Sequence, residues 1–195
     1  MLFWTENEFI KFISCVDNLT YKAFFSFLYL TGARRGEALA LAWSDIDFDN
    51  GTVHISKQCD FHEAGTAYVI YNTPKNESSV RTIYLPQNLR RLLTELKSTT
   101  IGDFVFNGDR PLPPENIRRY LKIYCEESGV KKIRLHDFRH SHASLLINKG
   151  NDILAVAQRL GHKNIEQTLN TYAHFFPDKQ TELLKSLEID LNGDS

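Results

Sequence analysis

Cysteine is scarce in this chain. Among 195 residues it occurs only at Cys15, Cys59 and Cys125, an odd number without metal-ligand spacing. That excludes a cysteine-built metal centre, and reduced thiols in a cytoplasm are the simplest account. Long apolar runs are missing too, and no stretch of the sequence could span a bilayer. The opening Met1-Leu2-Phe3-Trp4-Thr5-Glu6-Asn7-Glu8 has neither the basic start nor the extended apolar segment of a secretion signal, so export is not expected. An excess of positive charge is also lacking: 23 Lys and Arg against 24 Asp and Glu leave a formal net charge of -1. That total is a weak argument against a nucleic-acid partner, because phosphate affinity depends on a local basic face that acidic residues elsewhere do not cancel. Between Arg110 and Arg139 the chain also carries Arg118, Arg119, Lys122, Lys131, Lys132 and Arg134. Taken singly, each of these charges is equally well explained by a solvated helix face.

What is present is apolar material for the core of one domain, 42% of the residues with 12% aromatic. Periodicity makes that domain mainly α with a small antiparallel three-stranded β-sheet (α+β) inserted early. Thr5 to Glu8 has the form of a capping box, and Phe9, Phe12, Ile13 and Val16 follow at helical spacing. A second helix carries Phe24, Phe25 and Leu28 and stops at Gly32, which puts Arg34 at the start of a third helix through Leu39 and Leu41. From Trp43 the period becomes two: Ile46 and Phe48, the turn pair Asn50-Gly51, then Val53 and Ile55 read as a hairpin. Val69 and Tyr71, then Val80, Ile83 and Leu85, are further strands, with Lys75 on the tip between them. Helical spacing returns after Pro86 through Leu89, Leu92, Leu93 and Leu96, and again after Pro111-Leu112-Pro113-Pro114 through Ile117, Leu121 and Tyr124 up to Gly129. His136 to Lys149 reads as one helix, a short one runs from about Asp152 to Leu160-Gly161, and Asn164 with Gln167 can cap a last helix ending near Tyr172.

Six residues far apart in sequence have the chemistry of phosphoryl transfer: Arg34, Lys75, His136, Arg139, His162 and Tyr172. A phosphodiester under attack spreads negative charge over its non-bridging oxygens, and fixed guanidinium and imidazolium donors stabilise that charge without a metal ion. His136 and Arg139, three apart, share one face of a helix start, where backbone N–H groups also favour phosphate. Among eight tyrosines, Tyr172 stands out by its polar setting beside Asn170 and Thr171, which suits a mobile, exposed phenol, whereas Tyr21, Tyr29, Tyr120 and Tyr124 lie amid apolar residues.

The segments Thr31-Gly32-Ala33-Arg34-Arg35-Gly36-Glu37, Thr73-Pro74-Lys75, His136-Asp137-Phe138-Arg139, Leu160-Gly161-His162 and Thr171-Tyr172-Ala173-His174 stand in the order of the catalytic boxes of the tyrosine recombinases. From roughly Thr5 to Phe176 the chain closely resembles the catalytic domain of a phage or conjugative-transposon integrase. The resemblance implies cleavage and rejoining of double-stranded DNA at an attachment site. Tyr172 attacks the scissile phosphate to form a 3′-phosphotyrosyl bond, Arg34 and Arg139 hold that phosphate, and Lys75 protonates the leaving oxygen. His136 accepts the phenol proton and His162 donates to a non-bridging oxygen. Glu37 orients a cationic neighbour, and Arg118, Arg119 and Lys122 approach the DNA. No cofactor and no metal are implied. The expected partners are DNA and further copies of the chain, a tetramer on DNA and a monomer alone, with no membrane. His140 and His174 are given no role.

Residues 1–177 are expected to form the single catalytic domain and 178–195 a tail helix that family members dock on a neighbouring protomer. Integrases also carry a core-binding domain ahead of the catalytic part, whereas this sequence starts at the first catalytic-domain helix, so incomplete encirclement and weak affinity for DNA are expected of it. Three other readings compete. A metal-dependent hydrolase using His136, His140 and His142 with Asp137 leaves Arg34, Arg139 and Tyr172 unexplained. A type IB topoisomerase shares the tyrosine chemistry, and a DNA-binding regulator would use the same fold without catalysis.

Overall fold

The structure is a computed structural model and describes residues 2–62, 67–71, 80–161 and 172. Its architecture is organised around one helix. In α2 (Leu19–Thr31) nine positions are buried, from Tyr21 through Phe24, Phe25 and Phe27 to Thr31, so it is apolar nearly all round and runs through the centre. Around it lie α1 (Glu6–Cys15), the short α3 (Arg35–Leu39), α4 (Gln87–Thr99) and α6 (Asp137–Asn148), with α5 (Pro114–Ser128) packed on α1 and α7 (Ile153–Leu160) on α6.

Local chemistry sets the helix ends. Thr5 and Glu8 close the expected capping box at the start of α1, and Asp152 accepts from the Leu154 and Ala155 N–H groups at the start of α7. Gly32, at φ 67°, ends α2 in the left-handed region. A Cβ there would lie 2.6 Å from His142 Cδ2, so the glycine is required both by conformation and by the close approach of α6. His136 stands just outside α6 as its N-cap residue.

Aromatic rings join the helices. Trp4 packs on Phe12 at 4.5 Å between ring centres, Phe12 meets Phe25 edge-on at 5.2 Å, and Phe25 stacks on Phe138 at 5.7 Å, which ties α1, α2 and α6 into one core.

The strands β1 (Ile46–Asp47), β2 (Thr52–Ile55) and β5 (Arg81–Tyr84) form the expected three-stranded antiparallel sheet in the order β1-β2-β5, with Val53 opposite both Ile46 and Ile83. A second antiparallel pair was not expected: β3 (Gln58–Phe61) pairs with β4 (Tyr68–Tyr71), Gln58 opposite Tyr71. Gln58-Cys59-Asp60-Phe61 has little alternating hydrophobicity and only Cys59 is buried, so periodicity did not reveal it. Among the described residues no helix is long and apolar enough to cross a membrane.

Candidate active site

Four helix ends and one strand bring the site together. Arg34 caps α3 from just before its first turn, and its Nη1 donates to Glu37 Oε1 at 2.8 Å while its backbone N–H donates to Glu37 Oε2 at 2.8 Å. Glu37 is buried and is gripped from its other side by Arg81 at the start of β5, whose Nη1 and Nη2 lie 3.1 and 2.8 Å from its two oxygens. Burial works to raise the Glu37 pKa, but Arg81 and Arg34 hold it below the ordinary carboxylate range. The charged carboxylate thus fixes Arg34 from below.

Arg139 projects from α6 and is 3% exposed. Its Nη1 donates to Gly32 O at 2.8 Å and its Nη2 to Leu160 O at 2.6 Å. Both carbonyls belong to helix C-termini, those of α2 and α7, where carbonyls lack helical partners and the helix dipole is negative. Burial, with Arg34 and Arg81 nearby, pushes the Arg139 pKa down to about 9, so it stays protonated at neutral pH. Each Nη carries a second hydrogen that these bonds do not occupy.

His136 and Arg34 line one open hollow of about 350 Å³ with Arg35, Gly36, Gln58, Asp60 and Leu135. A Cβ on Gly36 would come within 2.9 Å of Cys59 O, so the hollow's wall depends on a glycine that lets α3 approach β3. Partial burial, then the charge of Arg139, lowers the His136 pKa below its ordinary value.

Tyr172 is not the exposed phenol that its polar sequence neighbours predicted. It is 2% exposed and packs with Ala143, Ile147, Val156 and Leu160, in a slot built by α6 and α7 of its own chain. The neighbours along the chain do not decide exposure here; the apolar faces of two helices distant in sequence do. Burial pushes its pKa up to about 12 against the pull of Arg139. Its hydroxyl lies 2.7 Å from His140 Nδ1. His140, half-buried, has a pKa pushed down to about 4 by burial and by His136, so the ring is neutral and the phenol is the donor.

His136, expected beside the phenol, stands instead edge-on to His140 at 4.9 Å between ring centres. Arg118, Arg119 and Lys122 are exposed on α5 outside this hollow, Arg118 paired with Glu115 and Lys122 with Glu126. Lys75 and His162 lie outside the described residues.

His142 faces away from the hollow: its Nδ1 lies 2.9 Å from Tyr29 O and its Nε2 accepts from Arg159 Nε at 3.1 Å. His136, His140 and His142 therefore do not converge, and among the described residues no three His, Cys, Asp or Glu are placed to hold a metal. The ligand set of the hydrolase reading is not assembled.

Sequence reasoning missed the contacts that His140 and Arg81 make at the site. The four-residue spacing of His136 and His140 placed both on one helix face, but nothing local tied either to Tyr172. Arg81 carries no local signal, because its partners, Glu37 and the Arg159 carbonyl at 2.9 Å, are 44 and 78 residues away.

A helical domain with these sheets and this arrangement of ends has the fold of the tyrosine recombinase catalytic domain. It superposes on the catalytic domain of bacteriophage HP1 integrase with a TM-score of 0.61, over 100% of this chain and 99% of that one, at 19% identity. On the Tn1549 transposon integrase, solved in complex with transposon right-end DNA, the TM-score is 0.81 over 96% of this chain and 66% of that one, at 24% identity. The sequence matches the phage integrase family across residues 3–179, and the chain belongs to that family. It is 35% identical over 203 residues to the ICEBs1 integrase of Bacillus subtilis (strain 168), which covers 96% of this chain and 54% of that protein. The integrase of Staphylococcus phage L54a is 28% identical over 173 residues, covering 82% of this chain and 49% of that one. The chain spans about half the length of the curated relatives it matches.

Proposed function

We propose that this chain carries out the strand-breaking and rejoining chemistry of a site-specific DNA recombinase. Tyr172 Oη bonds to the scissile phosphorus, the P–O5′ bond breaks, and a 3′-phosphotyrosyl link retains the energy of the diester. Arg34 and Arg139 stabilise charge on the non-bridging oxygens, assisted by His162, and Lys75 gives the departing 5′-oxygen its proton. Reversal by a second 5′-hydroxyl then needs neither ATP nor a metal. The partner is double-stranded DNA at an attachment site in the cytoplasm. On it the protein assembles as a homotetramer through its tail, 178–195, and off it the protein is a monomer.

The observation that carries this reading is that Arg34 and His136 share one hollow, while the buried Arg139 guanidinium is anchored on the carbonyls of Gly32 and Leu160 and Tyr172 packs against that same Leu160. Incubation with a nicked suicide substrate and denaturing electrophoresis tests it. The chain yields a covalent protein–DNA species, and Tyr172→Phe yields none. Equal behaviour of the two refutes the nucleophile. Relaxation of a supercoiled plasmid lacking any attachment site would select topoisomerase chemistry instead.

A further inference from the structure

We infer that His140 is a catalytic residue that holds the Tyr172 phenol through Nδ1 and takes its proton as Oη bonds to phosphorus. The inference rests on the recombinase reading and adds to it a group that the resemblance left without a role. The geometry is direct: Nδ1 and Oη are 2.7 Å apart, within the reach required of a general base. Both partners are held in place. Tyr172 sits among Ala143, Ile147, Val156 and Leu160, and the His140 ring abuts His136 from a helix whose neighbouring positions are buried.

Burial and the charges of His136, Arg139 and Arg134 work against an imidazolium at His140 and keep the resting ring neutral, ready to accept a proton. Asp137, one helix turn back, is kept ionised by hydrogen bonds from Arg134 at 2.8, 3.0 and 3.1 Å, and its negative charge favours an imidazolium at His140. The phosphorane charge that develops as Oη attacks has the same effect. Atoms balance: the Oη proton moves to Nδ1, the Oη–P bond forms, P–O5′ breaks, and O5′ takes a proton from the general acid. The return reaction moves each proton back. His136 is then left to face the phosphate from the hollow it shares with Arg34.

The test compares single-turnover cleavage of a suicide substrate at saturating DNA by the full chain and by His140→Asn. Asn keeps an acceptor near the place of Nδ1 but has no basicity. His140→Asn is expected to bind DNA as the parent does and to form the covalent species roughly a hundredfold more slowly, the lower end of what a general base contributes. Placing a ring-fluorinated tyrosine with a more acidic phenol at position 172 should recover about tenfold or more of that loss, because it lessens the demand for a base. A packing defect would not respond to phenol acidity. Cleavage by His140→Asn within about threefold of the parent, or a defect that fluorination leaves unchanged, overturns the inference alone. Failure of the parent chain to form any covalent species removes the recombinase reading, and the inference with it.

Discussion

Replacing Arg139 should unfold the protein more readily as well as stop its chemistry, whereas replacing Arg34 should do only the second. In Arg139→Ala the carbonyls of Gly32 and Leu160 lose the donors that now sit 2.8 and 2.6 Å away. Each orphaned buried carbonyl costs about 1–3 kcal/mol, so the pair costs roughly 2–6 kcal/mol. Against a typical domain stability of about 5–15 kcal/mol that is a large share. The Arg34 side chain is 35% exposed, and its partner Glu37 keeps both bonds to Arg81 when Arg34 is removed. Its loss should therefore cost about 0–1 kcal/mol, as for exposed ion pairs. Urea unfolding followed by circular dichroism measures the difference, with equal m-values required for the comparison. Arg139→Lys, whose single ammonium can reach one carbonyl, should fall between. Stability of Arg139→Ala within about 0.5 kcal/mol of the parent would refute the helix-end argument, since that is the range of inert surface substitutions. Cleavage should fall about a hundredfold or more in both alanine variants. Only for Arg34 does that loss read directly as chemistry.

Acid should destabilise the fold well before its carboxylates titrate. The pKa of His142 is pushed down to about 3 by burial and then by the Arg159 charge, and that of His140 to about 4, from an ordinary 6.5. The unfolded chain binds these protons first, so the stability they contribute is complete above about pH 6.5 and falls as pH drops toward about 4, by at most about 1.4 kcal/mol per pH unit for each histidine. A urea midpoint unchanged between pH 7.5 and pH 5 would contradict this. Gly32→Ala should lower the melting temperature by several degrees, because φ 67° and a Cβ 2.6 Å from His142 Cδ2 penalise any side chain by more than about 1 kcal/mol. Differential scanning calorimetry checks it, and an unchanged transition would count against the close approach of α6. If Arg118, Arg119 or Lys122 contacts phosphate, its neutralisation should weaken DNA binding across sequences and reduce the salt slope by about 1 per contact. An unchanged slope would place α5 off the DNA.

What could be read along the chain were features with local causes. The capping box at Thr5 and Glu8, the apolar spacing in α2 and α4, the glycine stops at Gly32, Gly129 and Gly161, and the Asn50-Gly51 turn each depend on residues a few positions apart. The order of the boxes around Arg34, Arg139 and Tyr172 likewise stands in the sequence, and with it the family. Other features needed the folded chain. The pairing of β3 with β4 lacks a periodic signal, and Glu37 meets Arg81 only because β5 returns beside α3.

Residue type and spacing determined which helices form, where they stop and which side chains carry charge or a phenol, because capping, periodicity and backbone freedom act within a turn or two. Tertiary packing alone decided that Arg139 bridges the ends of α2 and α7, that Tyr172 lies buried in a slot between α6 and α7, and that His140 rather than His136 meets its hydroxyl. Burial and hydrogen-bond partners are set by elements far apart along the chain, and no local pattern encodes which of two neighbouring imidazoles a distant phenol will reach.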